Sequence, residues 1–382
     1  MGPLNPPNSP NLTASSTDQP SRWIHRCLEL ARMAAGQTAP NPMVGCVILN
    51  GGLVVGEGFH PGAGQPHAEV FALAQAGAQA QGATLYVNLE PCNHTGRTPP
   101  CTEAILRAGI RQVVVGMVDP DPRVSGSGIQ RLRQAGLTVT VGVEEDLCRQ
   151  LNEAFIQRVT RQRPLGLLKY AMTLDGKIAA IGGHSAWVTG PTARAAVHQL
   201  RASCDAVVVG GNTVRHDNPQ LTTHGHSPHN PRRIVLSRRL DLPRQAHLWQ
   251  TQVAPTTVFT TLEADPKQQQ HLLSLGVEVV PLPNLTPRAV TQHLYGQGCA
   301  TVLWECGGQL AALALHDQVI DKVWAFVAPK LIGGQAAPSP VNDLGIRQMN
   351  SALALERTTW RCLGDDLLLE GYLSWPPHPG DG

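Results

Sequence analysis

The sequence predicts an α/β protein of two unlike domains, and three observations carry that prediction. Short apolar, β-branched runs alternate with helical stretches in both halves of the chain. A polar, helical crossing over residues 142–163 interrupts the alternation. The length, 382 residues, exceeds what one ordinary core uses. No motif of the first half returns in the second, so the halves are not a duplication.

Residues 1–20 are rich in Pro, Asn, Ser and Thr and nearly devoid of apolar side chains. Nothing there offsets the entropy of ordering, and a disordered tail is expected. Ile24, Cys27, Leu28 and Ala31 then fall at helical spacing, with Ser21 as N-cap and Gly36 able to end the helix. Strands follow over 44–49, 84–89 and 112–118, with helices over about 67–81 and 102–108. The first domain is expected over 21–145, a linker over 146–163 and the second domain over 164–376. Strands of the second domain are expected over 165–171, 205–209, 233–236, 256–261 and 301–304.

The 30 basic and 28 acidic residues are interspersed and leave a formal charge of +2, so no electrostatic footprint for a nucleic-acid backbone or an anionic membrane stands out. With 4% aromatic residues, a stacking platform for single-stranded nucleic acid is not expected either. The first twenty residues hold no Lys or Arg, and no run of eighteen apolar residues occurs. Neither a secretory signal nor a membrane span is indicated, and a cytoplasmic location is expected. Nine cysteines, odd in number and scattered, fit a reduced compartment where thiols serve metals or catalysis. The expected partners are a small-molecule substrate and further copies of the chain in a homo-oligomer, with no nucleic acid and no membrane.

The chemistry concentrates in the first domain. His67-Ala68-Glu69 follows Pro66 at a helix start, Pro91-Cys92 follows a strand, and Cys101 comes after eight intervening residues, 93–100. Side chains two apart on a helix point to nearly opposite sides, so His67 and Glu69 can share only a metal lying off the helix N-terminal end. Thr98-Pro99-Pro100-Cys101 reads as an N-cap, two prolines suited to an opening turn, and a thiol in that turn. Helix N-termini favour a thiolate or hydroxide. One imidazole and two thiolates leave zinc a fourth position for water, as catalytic sites do. Glu69, which is not a ligand in this reading, is the candidate proton carrier between water and leaving amine. His94, in the same loop, reads equally as a substrate contact or a structural residue.

Zinc deaminases generally carry Pro-Cys-x-x-Cys, and the eight-residue spacing narrows the resemblance. Residues 40–46 (PNPMVGC), His67-Ala68-Glu69-Val70 and residues 91–101 (PCNHTGRTPPC) closely resemble the riboflavin-biosynthesis branch of the cytidine-deaminase-like superfamily, the RibD family of bifunctional deaminase–reductases. The resemblance implies a cytidine-deaminase-like α/β/α sandwich, one zinc, and deamination of 2,5-diamino-6-(5-phosphoribosylamino)pyrimidin-4(3H)-one. It also implies that Asn41 holds the ring while His94, Arg97 and Thr98 line the substrate loop.

The second half lacks Gly-x-Gly-x-x-Gly between a strand and a helix, so no evident Rossmann domain is present. Gly307-Gly308 after an apolar strand can let backbone N–H groups approach a phosphate, though such a pair is as often simple turn chemistry. Residues 169–177 (KYAMTLDGK), 185–189 (SAWVT), 210–219 (GGNTVRHDNP) and 328–334 (APKLIGG) resemble the reductase domain of the same family. That resemblance implies a dihydrofolate-reductase-like α/β fold and NADPH-dependent reduction of the ribosyl group to ribityl. Ala171, Trp187, Thr213, Asp217 and the turn Gly307, Gly308, Gln309, Leu310, Ala311, Ala312 and Leu313 would then bind NADPH. Ser185, Arg201, Leu221 and Glu305 would hold the ribosyl phosphate. Two departures accompany it: His224 stands where the family often has Arg near the phosphate, and Ser237-Arg238 replaces a frequent Asp-Ser. The alternative reading is a deaminase whose second domain has lost reductase activity.

Overall fold

The computed structural model describes residues 19–94 and 99–375. The tail expected over 1–20 lies outside them except for Gln19 and Pro20, as do the expected substrate contacts Arg97 and Thr98. Two compact units result: one is formed by residues up to Ala34 with Pro42–Asn152, the other by Ala35–Asn41 with Glu153 onward. No helix among the described residues is long and apolar enough to cross a membrane.

The first unit runs α1 (Gln19–Arg32), β1 (Gly45–Asn50), β2 (Leu53–Phe59), α2 (Ala68–Ala76), β3 (Thr84–Leu89), α3 (Cys101–Arg107), β4 (Gln112–Met117), α4 (Ser127–Gln134), β5 (Thr138–Val141) and α5 (Glu145–Leu151). Its sheet has the order β2-β1-β3-β4-β5, with β1 antiparallel to both neighbours and β3, β4 and β5 parallel. Cys46 pairs with Gly58 and Gly45 with Phe59. A Cβ on Gly45 would meet Cys27 of α1, whereas one on Gly58 would meet Ala68 of α2. Successive strand residues face opposite sides, so the two helices cover opposite faces of the sheet. The helix α1 begins before Ser21, which lies inside it. Pro20 explains the difference, since its fixed φ suits an opening turn and lets the helix start earlier.

The second unit runs α6 (Glu153–Arg161), β6 (Leu165–Thr173), α7 (Pro191–Ala202), β7 (Ala206–Gly210), α8 (Gly211–Asp217), β8 (Arg232–Leu236), β9 (Thr256–Thr261), α9 (Pro266–Ser274), β10 (Glu278–Leu282), α10 (Pro287–Gly296), β11 (Thr301–Trp304), α11 (Gly308–His316), β12 (Lys322–Ala328), β13 (Leu355–Leu363) and β14 (Asp366–Leu373). The sheet order is β10-β9-β8-β7-β11-β6-β12-β14-β13. It is parallel from β10 through β12, then closes with antiparallel β14 and β13. Val207 and Val209 enter one apolar cluster while Ala206 and Val208 enter another, so β7 is buried on both faces. The chain leaves β7 toward β8 on one side and β11 toward β12 on the other. That reversal makes the β7/β11 boundary a topological switch point, where open α/β sheets form ligand crevices.

Candidate active sites

In the first unit the zinc candidates come together at two helix starts. His67 is the N-cap of α2, with Glu69 in its first turn. Cys101 opens α3, whose N-cap is Pro100 and not Thr98. Pro100 takes that place with extended backbone (φ −55°, ψ 139°), its missing N–H being no loss at a helix start. Cys92 is tied to α3 by its carbonyl, which accepts from Thr102 N–H at 3.2 Å, and by its sulfur, which accepts from Cys101 N–H at 3.3 Å. Thr102 Oγ1 donates to Asn93 Oδ1 at 3.0 Å.

His67 Nδ1 lies 3.5 Å from Cys92 Sγ and 3.3 Å from Cys101 Sγ. The donor atoms of the three residues are all within 4.8 Å of one another, the one such group among the described residues. For Zn–N and Zn–S bonds of about 2.0 and 2.3 Å, tetrahedral geometry sets donors roughly 3.5 Å apart, so the set fits zinc. The charges agree. The hydrogen bond from Cys101 holds the Cys92 thiol down at about 4 against burial, while the same contact and burial push Cys101 up. The bond to Cys92 raises the His67 imidazole. Glu69 is 3% exposed, and its Oε2 is buried without a hydrogen-bond partner. Burial, with the Cys92 charge next, lifts its carboxyl to about 7. A buried carboxyl with an unengaged oxygen beside a three-donor metal set is built to accept and return a proton.

Sequence reasoning missed the residues that hold this site in place. Glu90, two residues before Cys92, accepts backbone N–H bonds from Asp119 (3.1 Å), Gly126 (2.9 Å), Gly128 (2.8 Å) and Ile129 (3.2 Å). Asn88, fully buried, accepts from Gly45 N–H at 2.8 Å and donates to Met43 O at 3.0 Å, fixing the start of β1. His60, buried, packs edge-on against the His67 ring with centroids 5.5 Å apart. No spacing signal links these residues to the ligands. His94 is exposed. Burial lifts the nearby Asp119 carboxyl to about 6, with the Asp121 N–H and the His94 imidazole pulling the other way. Asn41 falls in the segment grouped with the second unit, its N–H donating to Thr38 O at 2.8 Å.

The second unit has a cleft of about 1370 Å³ at its switch point. Gly210, Gly211 and Thr213 from the end of β7 line it, together with Gly307, Gly308, Gln309, Leu310 and Leu313 from the end of β11. The two glycines of that turn differ. A Cβ on Gly308 would lie 2.4 Å from Asn342 Oδ1 and 2.5 Å from Ser339 O, so packing dictates this glycine. A Cβ on Gly307 would meet nothing within 4 Å, leaving open space above the α11 N-terminus for a phosphate. Ala311 and Ala312 are buried. Arg238 lines the cleft at the end of β8, its carbonyl accepting from Thr260 Oγ1 at 3.0 Å. Size, position and the open glycine turn fit a dinucleotide.

Arg201 and Lys169 flank Glu305, which follows β11. Ser185 Oγ donates to Asp217 Oδ1 at 2.8 Å, so a substrate and a cofactor candidate touch each other. Trp187, 69% exposed with φ at 65°, is stacked by Arg194 at 4.5 Å, and its carbonyl accepts from Lys330 Nζ at 2.6 Å. Leu221 is 3% exposed and packs in the core, and Ala171 is half-buried on β6.

Comparison with known proteins agrees with this division. Residues 17–117 match the family described as the cytidine and deoxycytidylate deaminase zinc-binding region, and residues 164–369 match the RibD C-terminal domain. The riboflavin biosynthesis protein RibD of Synechocystis sp. is 60% identical over 350 residues, spanning 92% of this chain and 95% of that one. Acinetobacter baumannii RibD, form 1, superposes with a TM-score of 0.84 at 39% identity, covering 94% of this chain and 99% of that one. A diaminohydroxyphosphoribosylaminopyrimidine deaminase/5-amino-6-(5-phosphoribosylamino)uracil reductase from Thermotoga maritima gives 0.84 at 36% identity, covering 93% and 99%.

Proposed function

The chain belongs to the RibD family, and from that membership we propose how its residues divide two successive steps of riboflavin biosynthesis. It is a bifunctional enzyme, a zinc-dependent hydrolase in its cytidine-deaminase-like unit and an NADPH-dependent oxidoreductase in its dihydrofolate-reductase-like unit. The first reaction replaces a ring amine of the diaminopyrimidine ribosyl phosphate by oxygen. The second reduces the ribosyl group of the resulting uracil to ribityl.

For the first step His67, Cys92 and Cys101 hold the zinc, which when bound supplies Lewis acidity. Glu69 takes the proton of the attacking water through its unengaged Oε2 and returns it to the departing amine. His94 would contact the pyrimidine, as would Arg97 and Thr98, which lie outside the described residues. For the second step NADPH supplies the hydride, so the protein contributes orientation and electrostatics. The turn 307–313 with Ala171, Trp187, Thr213 and Asp217 would bind NADPH, and Ser185, Arg201, Leu221 and Glu305 would bind the ribosyl phosphate substrate, with Leu221 contributing from the core.

The observation that carries this reading is one chain holding both a His-Cys-Cys donor set beside a buried, half-engaged Glu69 and a dinucleotide-sized cleft at a switch point. The test is stoichiometry on the diaminopyrimidine substrate. One NADPH oxidised per ammonia released supports two active units, and ammonia without NADPH oxidation leaves a deaminase alone.

A further inference from the structure

The turn after β6, with Leu174 and Asp175, lies against the turn after β12, with Lys330 and Leu331. Leu174 N–H donates to Lys330 O at 2.9 Å, and Ile178 N–H donates to Pro338 O at 3.0 Å. The Asp175 carboxylate accepts from Gly333 N–H at 2.7 Å and from Ile332 N–H at 3.3 Å. Thr173 Oγ1 donates to it at 2.6 Å, and this bond, with the Gly333 N–H next, holds the carboxyl below its ordinary range. Ile178 and Pro338 line the cleft, so the paired turns form one of its walls. That wall is thinly packed. Leu174, Ile181 and Leu331 are all exposed, so little apolar burial fixes it and its polar ties set its position.

Lys330 joins this wall to residues 185–189. Its Nζ donates to Trp187 O at 2.6 Å and to Val188 O at 2.9 Å. Two successive carbonyls thus face one ammonium, and Trp187 has φ at 65°, a left-handed conformation that aromatic residues rarely adopt. Such a conformation persists only where the surroundings impose it. The ends of the segment are tied elsewhere, Ser185 to Asp217 and the Thr189 carbonyl to Arg194 Nη1 at 2.8 Å. The middle is tied to Lys330. The Trp187 ring stays 69% exposed even with the Arg194 guanidinium over it, which leaves area for a second planar partner.

We propose that Lys330 is a positioning residue for the reductase cofactor, its ammonium clasping the Trp187 and Val188 carbonyls so that the Trp187 ring stands where it meets NADPH. The choice of NADPH rests on the function proposed above. Without the clasp Trp187 relaxes toward ordinary backbone conformations and the ring leaves its place. The competent fraction of the chain then falls, and the apparent Kd rises by the same factor. Saturating NADPH restores the competent conformer, so kcat is kept.

The test measures the NADPH Kd of the full chain from the emission of NADPH itself, together with KM and kcat for NADPH oxidation on the deaminated substrate. Lys330→Met should raise Kd and KM about fivefold, with kcat within about twofold of the parent and ammonia release unchanged. Lys330→Arg still donates to both carbonyls and should stay within about twofold in Kd. In a Trp187→Ala background Lys330→Met should add nothing, because the two residues act through one contact. Asp175→Ala frees the turn that carries Lys330 and should shift Kd in the same direction. An unchanged Kd in Lys330→Met, or an equal rise with Trp187 already removed, overturns the clasp. A loss of kcat and Tm at constant Kd also overturns it and makes Lys330 structural. A parent that oxidises NADPH while its Kd ignores Lys330 leaves the reductase reading standing. A parent that binds NADPH with the expected dependence on Lys330 but never oxidises it sinks the reductase reading instead.

Discussion

Arg201 closes a two-point ion pair on Glu305, Nε to Oε1 at 2.5 Å and Nη2 to Oε2 at 3.0 Å, with the two side chains 12% and 8% exposed. Lys169 Nζ stands 3.5 Å from the same Oε2. Burial alone would lift the Glu305 carboxyl, but Arg201 and then Lys169 outweigh it and hold the group at about 2. The folded value lies below the ordinary one of about 4.3, so the stabilisation is complete above that pH and is lost as pH falls from roughly 4.3 toward 2. Its size is on the order of 3 kcal/mol. Thermal unfolding of Glu305→Gln against pH should show a flatter acid limb than the parent. An unchanged limb would mean that the pair does not carry this linkage.

The two glycines opening α11 should respond differently to alanine. Gly308→Ala drives a Cβ into Asn342 and Ser339, an overpacking cost of about 1–3 kcal/mol visible as a lowered Tm. Gly307→Ala has φ at −71° and an empty surround, so it should fold like the parent. Its methyl group occupies the space above the helix start and should raise the KM for NADPH several-fold with Tm unchanged. An unaltered KM would remove this turn from the cofactor site.

Glu90 offers four backbone amides an oxygen acceptor from directly behind Cys92. Glu90→Gln turns one of its oxygens into a donor facing donors, a cost of about 1–3 kcal/mol. Zinc should be lost faster to a competing chelator, and ammonia release should fall with it, while NADPH oxidation on the deaminated substrate is unchanged. Equal zinc retention in parent and variant would make Glu90 a fold residue only.

The zinc ligands were legible because their signals are local: a proline before His67, a strand before Pro91, prolines before Cys101. Strands with continuous β-branched runs, such as Thr84–Leu89 and Thr256–Thr261, were legible for the same reason. The strand β2 was not, because Gly56 and Gly58 dilute its pattern. Those glycines exist because a side chain there would strike Ala72 and Ala68 of α2, a contact the sequence does not announce. The same holds for Glu90, whose partners lie 29 to 39 positions away. Lys330 gave no signal of its partners, since only the pairing of the turn after β12 with residues 185–189 brings its ammonium to the Trp187 and Val188 carbonyls.

The central claim is that a proton-carrying Glu69 and a separate hydride site share one chain, and Glu69→Gln tests it most directly. Zinc content, ammonia release from the diaminopyrimidine and NADPH oxidation on the deaminated substrate are measured on the same preparation. The account predicts about one zinc per chain, ammonia release reduced by at least about 10²-fold, the lower range for a lost general acid–base group, and NADPH oxidation unchanged. Zinc lost together with ammonia release would make Glu69 a structural residue of the metal site and contradict the account.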